Sequence, residues 1–440
     1  MFRSFLLAAA LCAWLAGAHA QTLPTVAFVD VNLVTMESEQ VLPHMTVIVQ
    51  DRRIVRIAPA ATEKVPAGAV VVEGKGTRYL TPGLADMHTH IMDSGDLLPY
   101  LAHGVTTCLN LGGGDPDFIR ATRTQIAAGT LTGPTVYYAV FMEGIPIHGQ
   151  PAYTQPDQAR AAVKQARQTG YDFAKVYNSL QPAVFDAIVA EARLQKMGVV
   201  GHGIRAIGLP QALLRGQNAV AHAEEFYYTA FDHQTDLARI PEVVRATAAT
   251  GAYVIPNLSA YNGIAQQWGK PDVSQAYLAD PKARLLSKLS AGMWSAAPYG
   301  KREGSLDANA AFLGQFTLAM QKAGVPLMTG TDSPFIPGLF PGDALHVDMQ
   351  RLRDAGLSNY EVLSAATRVP GEFVRPYVGD AARFGVIKTG YRADLLLVED
   401  NPLQDLKALR RQVGVMSDGR WSSAAQLQAQ VDQRLQAAKR

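Results

Sequence analysis

The stretch Leu80-Thr-Pro-Gly-Leu-Ala-Asp-Met-His-Thr-His90 decides how this chain is read. An apolar run fit for a buried strand ends in two histidines, His88 and His90, with one residue between them. Side chains at i and i+2 of a strand share a face, so both imidazoles converge on one point. Neutral imidazole is the commonest protein ligand for a transition metal. Ordinary polar strand ends carry histidines too, so the pair gains meaning only from the rest of the chain.

Working outward, the centre from Thr81 to Tyr377 alternates strand-like and helix-like segments. The expected strands are Leu84 to His90, Val105 to Leu111, Thr135 to Phe141, Asp172 to Tyr177, Gly198 to His202, Ala219 to His222, Ala252 to Pro256 and Pro326 to Thr331. Helical patterns fall between them, at Asp157 to Thr169, Pro182 to Lys196, Leu209 to Arg215, Pro241 to Thr250 and Leu306 to Ala323. Eight strands in βα alternation predict an α/β fold of the (β/α)8, TIM-barrel type. The connection from Leu258 to Gly324 exceeds a usual βα link and is a candidate active-site lid.

Both ends of the chain are β-rich. Val26 to Val31, Met45 to Gln50, Arg53 to Ile57 and Ala69 to Glu73 precede the centre; Gly385 to Gly390, Ala393 to Glu399 and Val413 to Trp421 follow it. The simplest account is a small composite β-sandwich domain, residues 21–80 plus 378–421, enclosing the barrel at 81–377. A terminal surface helix is expected over 422–440.

Composition bounds the function. With 440 residues, 48% hydrophobic, 18% charged and a net charge of +2, the chain has an ordinary globular balance and no case for a nucleic-acid partner. Residues 1–20 read as a secretory signal peptide: Arg3, an apolar run from Phe5 to Leu15, then Ala18-His-Ala20 as the cleavage signal. The run is shorter than the ~20 residues a bilayer requires, so no membrane association is expected after cleavage. Removal of Cys12 with the leader leaves Cys108 without an intrachain partner. A periplasmic or secreted location follows from this reading.

The barrel rule puts reactive groups at the C-terminal ends of strands, on one rim. His88 and His90 end the first strand, Lys175 lies in the fourth, His202 and His222 end the fifth and sixth, and Asp332 follows the eighth. Each alone has a structural explanation; together they are hard to read as solvated surface. Lys175 as an ammonium would be repelled by divalent cations. Burial lowers its pKa and favours the neutral amine, which can add carbon dioxide to give an anionic, bidentate carbamate. The competing reading is a core-edge lysine paired with a carboxylate.

With these residues in place the chain resembles the amidohydrolase superfamily, specifically the binuclear metal-dependent hydrolases near the imidazolonepropionase-like and Xaa-Pro dipeptidase branch. The resemblance rests on Pro82-Gly-Leu-Ala-Asp-Met-His-Thr-His90, Lys175, His202, His222, Thr331-Asp332 and the tail Gly385-Val-Ile-Lys-Thr-Gly-Tyr-Arg-Ala-Asp-Leu395. It spans about Thr25 to Arg420. It implies one divalent metal held by His88, His90, Asp332 and carboxylated Lys175 (N6-carboxylysine). It implies a second held by the same carbamate with His202 and His222, and a bridging hydroxide that attacks an amide bond. Two cations can bring the pKa of water from ~15.7 to about 7. Asp332 would carry the proton to the leaving amine. Zinc suits the mixed donors, and manganese or cobalt fits the same set.

Single-metal deaminases of the superfamily place a glutamate three residues after the strand-five histidine; here that position is Arg205. The departure favours amide hydrolysis over deamination. His148, in Gly144-Ile-Pro-Ile-His-Gly149, resembles a loop histidine that polarises the substrate carbonyl. Tyr227 and Tyr228 are candidate hydroxyl donors to the oxyanion, or packing residues. Arg205 could hold a substrate carboxylate, or form a surface salt bridge. The expected function is an exported hydrolase of a dipeptide or N-acyl amino acid. Hydrolysis of a cyclic amide or lactone, and a metal-loaded binding protein without turnover, are the alternatives. Assembly into a homo-oligomer stays open.

Overall fold

A computed structural model describes residues 23–147 and 149–438; the expected leader at 1–20 and His148 lie outside the described residues. Seven strands, Leu84–Thr89, Val105–Asn110, Thr135–Met142, Phe173–Val176, Gly198–Gly201, Ala219–Ala221 and Tyr253–Ile255, lie side by side in chain order. All neighbours pair in parallel. Strands buried on both faces read as continuous apolar runs, which is why Val-Val-Gly or Ala-Val-Ala suffices here.

The eighth expected strand, Pro326 to Thr331, does not form a regular strand. It makes isolated parallel bridges instead, Leu327 to Val254 and Ser333 to Thr89. The bonds Met328 N–H to Val254 O (2.9 Å), Met87 N–H to Thr329 O (2.9 Å) and Asp332 N–H to His88 O (2.7 Å) still close the barrel. The ladder breaks for two reasons. Thr329 N–H is drawn outward to Ala365 O, and Asp332 turns the chain at φ +66°.

The barrel interior is filled by Met87, Leu109, Phe173, Val200, Ala221, Ile255 and Met328, and is closed at the strands' N-terminal ends by Phe373 and Phe384. Outer helices bury one stripe each. In Pro156–Thr169 the buried positions Ala159, Val163 and Ala166 follow helical spacing, and Gly170 at φ +105° ends the helix in the left-handed conformation glycine tolerates. Their apolar faces share one core with the outward side chains of the strands, such as Ala174, Val176 and Val220.

Both ends of the chain meet in one mixed sheet of eight strands, separate from the barrel sheet. Val26–Val34, Val41–Gln50, Arg53–Pro59, Val70–Glu73 and Tyr79–Pro82 precede the barrel; Leu395–Val398, Gln412–Ser417 and Arg420–Ser423 follow it. The seam is the antiparallel pairing of Tyr79–Pro82 with Leu395–Val398. Gly83 then passes directly into the first barrel strand, and a Cβ there would come within 2.3 Å of Thr106 Oγ1. Gly385 to Gly390, expected as a strand, is a turn-rich passage instead. The stretch ending at Trp421 is a hairpin turned by Asp418 and Gly419, both at positive φ. The terminal helix spans Ala424–Ala437, opened by a capping box of Ser423 and Gln426.

The long connection after the seventh strand is folded. It contains helices Leu258–Gln267, Pro271–Ala279, Lys288–Ala296 and Asp307–Lys322. The last belongs to the barrel's outer layer through Phe312, Leu313, Phe316 and Met320. The earlier ones pack on the eighth segment: Trp294 Nε1–H donates to Pro334 O at 2.7 Å and Gln267 Nε2–H to Pro337 O at 2.9 Å. Among the described residues no helix is long and apolar enough to cross a membrane.

Candidate functional site

The C-terminal rim gathers the six residues expected there. Asp332 Oδ1 lies 2.9 Å from His90 Nε2 and 3.2 Å from His88 Nε2. Lys175 Nζ approaches His88 Nε2 at 3.5 Å. His222 bridges the two sides, its ring centroid 4.7 Å from that of His88 and 4.8 Å from that of His202. His222 and Asp332 both hold positive φ, +72° and +66°. Such non-glycine conformations cost about 1–3 kcal/mol and cluster where a side chain must be aimed.

Lys175 arrives by strand register. Phe173 and Lys175 share one face of a strand, Phe173 fills the barrel floor, and Lys175 stands two residues further along. Its side chain is buried between the rings of Phe141 and Tyr177, with Nζ 5.8 Å and 5.6 Å from their centroids.

The far nitrogens of three imidazoles face polar groups. His202 Nδ1 meets Glu225 Oε1 at 2.8 Å, and His88 Nδ1 meets Asn257 Oδ1 at 3.2 Å. His222 Nδ1 lies 3.3 Å from Glu224 Oε1 without hydrogen-bond alignment. A far N–H so engaged fixes the tautomer and leaves Nε2 as a lone-pair donor toward the centre. Beneath them Asp86 accepts from Thr331 Oγ1–H at 2.7 Å and Thr331 N–H at 3.0 Å, tying the first strand to the eighth segment.

Burial sets the charges. It drives the imidazoles of His88, His90 and His202 below the ordinary value and takes His222 to about 3, so all four are neutral at pH 7. Burial likewise lowers Lys175 to about 8, against the pull of Asp332 and Glu225. Burial opposes ionisation of Asp332, but in acid, where His88 and His90 take up protons, their pull outweighs it and holds the carboxyl well below the usual range, so it is ionised at pH 7. Neutral imidazoles, an ionised carboxylate and an amine with a lowered pKa form a donor set that fits divalent cations. Donor atoms of His88, His222 and Asp332 lie within 4.8 Å of one another.

Around this centre Arg205 is exposed, its guanidinium 5.4 Å from the ring centroid of Tyr228. Tyr177 packs on His202 at 3.9 Å between centroids, and Phe335 on His90 at 5.2 Å. The ring of Tyr227 meets Tyr228, His233 and Phe312 and packs on the barrel–helix core, away from the cluster's ring contacts. Glu225, Asn257 and Asp86 are absent from the sequence-derived set. Glu225 stands three residues after His222 but bonds His202, so its neighbour in sequence points to the wrong histidine.

Known proteins agree with this architecture. An adenine deaminase of Paracoccus denitrificans (strain Pd 1222) is 38% identical over 80 residues, and the match spans 17% of this chain but only 13% of the deaminase. Among solved structures, a bottromycin amidohydrolase is 25% identical with a TM-score of 0.75, covering 95% of this chain and 92% of its own. An Xaa-Pro dipeptidase with methionine bound in its active site shares the fold at 18% identity and a TM-score of 0.67, covering 91% of this chain and 100% of its own. The sequence pattern of the amidohydrolase family matches residues 79–422, from the sheet's central seam through the whole barrel to its last strand, and the chain belongs to that family.

Proposed function

We propose that the protein is an exported, binuclear metal-dependent amidohydrolase that cleaves the amide bond of a dipeptide or an N-acyl amino acid. The observation that carries this reading is the convergence of His88, His90, Lys175, His202, His222 and Asp332 on one rim, with neutral imidazoles facing an ionised carboxylate. His88, His90, Asp332 and carboxylated Lys175 would hold one cation; the same carbamate with His202 and His222 would hold the other. Zinc suits the mixed nitrogen and oxygen donors. Bound cations would supply Lewis acidity and make water nucleophilic near neutral pH.

The chain's own groups do the rest. The neutral form of Lys175, made accessible by its lowered pKa, would add through Nζ to the carbon of carbon dioxide: the N–C bond forms, one C=O pair moves onto oxygen and an N–H proton passes to water, so a neutral amine becomes an anionic donor. Asp332 accepts a proton as water attacks the carbonyl and delivers it to the leaving nitrogen as the C–N bond breaks. Arg205, steadied over Tyr228, offers its fork to a substrate carboxylate. Tyr228 and His148 are the proposed groups for polarising the carbonyl.

Elemental analysis followed by a panel of dipeptides, N-acyl amino acids, cyclic imides, lactones and adenine tests the reading. The expected result is about two divalent ions per chain and amine release from the open-chain amides. Ammonia release from adenine would overturn it in favour of deamination, and a metal-replete but inert sample would favour a binding protein. For export, the expected mature chain begins at Gln21 in the periplasm or medium; recovery of Met1 in the cytosol would sink that part.

A further inference from the structure

The seventh barrel strand, Tyr253–Ile255, supplies none of the six donors, yet its end is drawn into the centre. Asn257 follows it at φ +51°, fully buried. Its Oδ1 accepts from the Nδ1–H of His88 at 3.2 Å and from the backbone N–H of His222 at 3.1 Å. The backbone N–H of His222 can only donate, so it settles the orientation of the carboxamide, and an oxygen so placed requires the proton of His88 on Nδ1. The same residue's backbone O accepts from Ala260 N–H at 3.0 Å and Tyr261 N–H at 3.3 Å, opening the helix Leu258–Gln267. Asn257 Nδ2 is buried without a partner, so the side chain is held by its oxygen alone.

We propose that Asn257 is a positioning residue for the metal centre. One carboxamide oxygen fixes the tautomer of the His88 imidazole from the first strand and seats the backbone of His222 from the sixth. With the proton on Nδ1, His88 keeps the lone pair of Nε2 free for a cation, on the side of the ring that faces the other rim donors. The residue type follows from the joint demand: a side-chain acceptor short enough to reach both donors, on a backbone in the left-handed region. The inference rests on the metal-centre reading above.

Two backbone-compatible variants test it. Asn257→Gly removes the acceptor and is at ease at φ +51°; Asn257→Asp keeps an oxygen in the same place. Zinc affinity is measured by competition with a chromophoric chelator, alongside the visible spectrum of the cobalt-substituted protein and the unfolding transition of the metal-free protein. The expected result is a metal-free transition within a few degrees of wild type for both. Asn257→Gly should bind zinc 10- to 100-fold more weakly, with an altered cobalt spectrum, the range seen when partners of metal-binding histidines are lost. Asn257→Asp should stay within a few-fold of wild type. Wild-type affinity and spectrum in Asn257→Gly would overturn the proposal, as would Asn257→Asp binding as weakly as Asn257→Gly. If wild type itself takes up no divalent metal, the metal-centre reading has failed, and the variants are then not needed to say so.

Discussion

The carboxylate of Glu225 accepts the Nδ1–H of His202 at 2.8 Å, so the group that fixes the fifth strand's imidazole is carried by the helix after the sixth strand. Asn178 Nδ2–H and Gly203 N–H also donate to Glu225, at 2.9 and 3.2 Å. The sixth βα unit therefore orients the imidazole delivered by the fifth strand.

All those contacts are donors, which makes an unusual prediction for Glu225. Glutamine would set an amide NH2 against at least one N–H, so Glu225→Gln should fail much as Glu225→Ala does. Both are expected to lose about 10- to 100-fold in metal affinity. Isothermal titration with zinc checks this, and a glutamine variant with wild-type affinity would remove the positioning role.

Asp332 is predicted to divide binding from chemistry. Asp332→Asn keeps an oxygen donor but gives up the proton carrier. Turnover should fall by about 10²- to 10⁴-fold, while the protein still takes up metal. Parallel measurement of kcat and metal content decides it; undiminished kcat would contradict the assigned proton transfer.

Asp343 makes the acid side of the stability profile testable. Lys282 from the insertion reaches it at 2.7 Å and Arg410 from the segment entering the small sheet at 2.6 Å. Burial opposes its ionisation, but those two cations win and hold its carboxyl well below the usual range. A carboxyl depressed in the folded state stabilises above its unfolded pKa, about 3.9, and loses that stabilisation as pH falls toward the folded value. Lys282 and Arg410 are both more than 40% exposed, so the worth is discounted to about 1 kcal/mol. Asp343→Asn should lower the melting temperature at pH 7, and the gap to wild type should begin to narrow only as pH falls below about 4. A difference that persists unchanged into acid would point to packing instead.

The buried Arg392 ties the returning chain to the barrel floor. It donates to Asp394 (2.6 Å), Tyr137 (3.0 Å) and Thr107 (2.9 Å) and lies against Phe384. Arg392→Met strands Asp394 without its counter-charge and should cost about 3–5 kcal/mol. Arg392→Met with Asp394→Leu should recover part of that loss. Denaturant unfolding of the single and double variants is the check; additive losses would show that the pair is not coupled.

Much of the candidate site could be read from the chain because a parallel barrel imposes a rule on its strand ends. His88, His90, His202 and His222 each close an apolar run, and Lys175 keeps the inward parity of Phe173. The eighth segment escaped because Pro326 to Thr331 has strand composition, while its irregularity comes from Ala365 capturing Thr329 N–H and from the turn at Asp332. Asn257 and Glu225 were illegible for another reason. Each acts through a partner remote in sequence, and an asparagine opening a helix looks like an ordinary cap. Gly385 to Gly390 carries the composition of a strand pair but serves as the passage from the last barrel helix to the sheet, with Ile387 N–H bonded to Thr35 O.

The seam between Tyr79–Pro82 and Leu395–Val398 has a bearing on biosynthesis. A ribosome completes the first of these strands before the barrel exists and the second only after the barrel is finished. Until then the early strands present an unpaired edge of backbone N–H and C=O groups, open to pairing with another nascent chain. Products terminated just beyond the barrel would keep that edge permanently, and are expected in inclusion bodies rather than as a free catalytic unit.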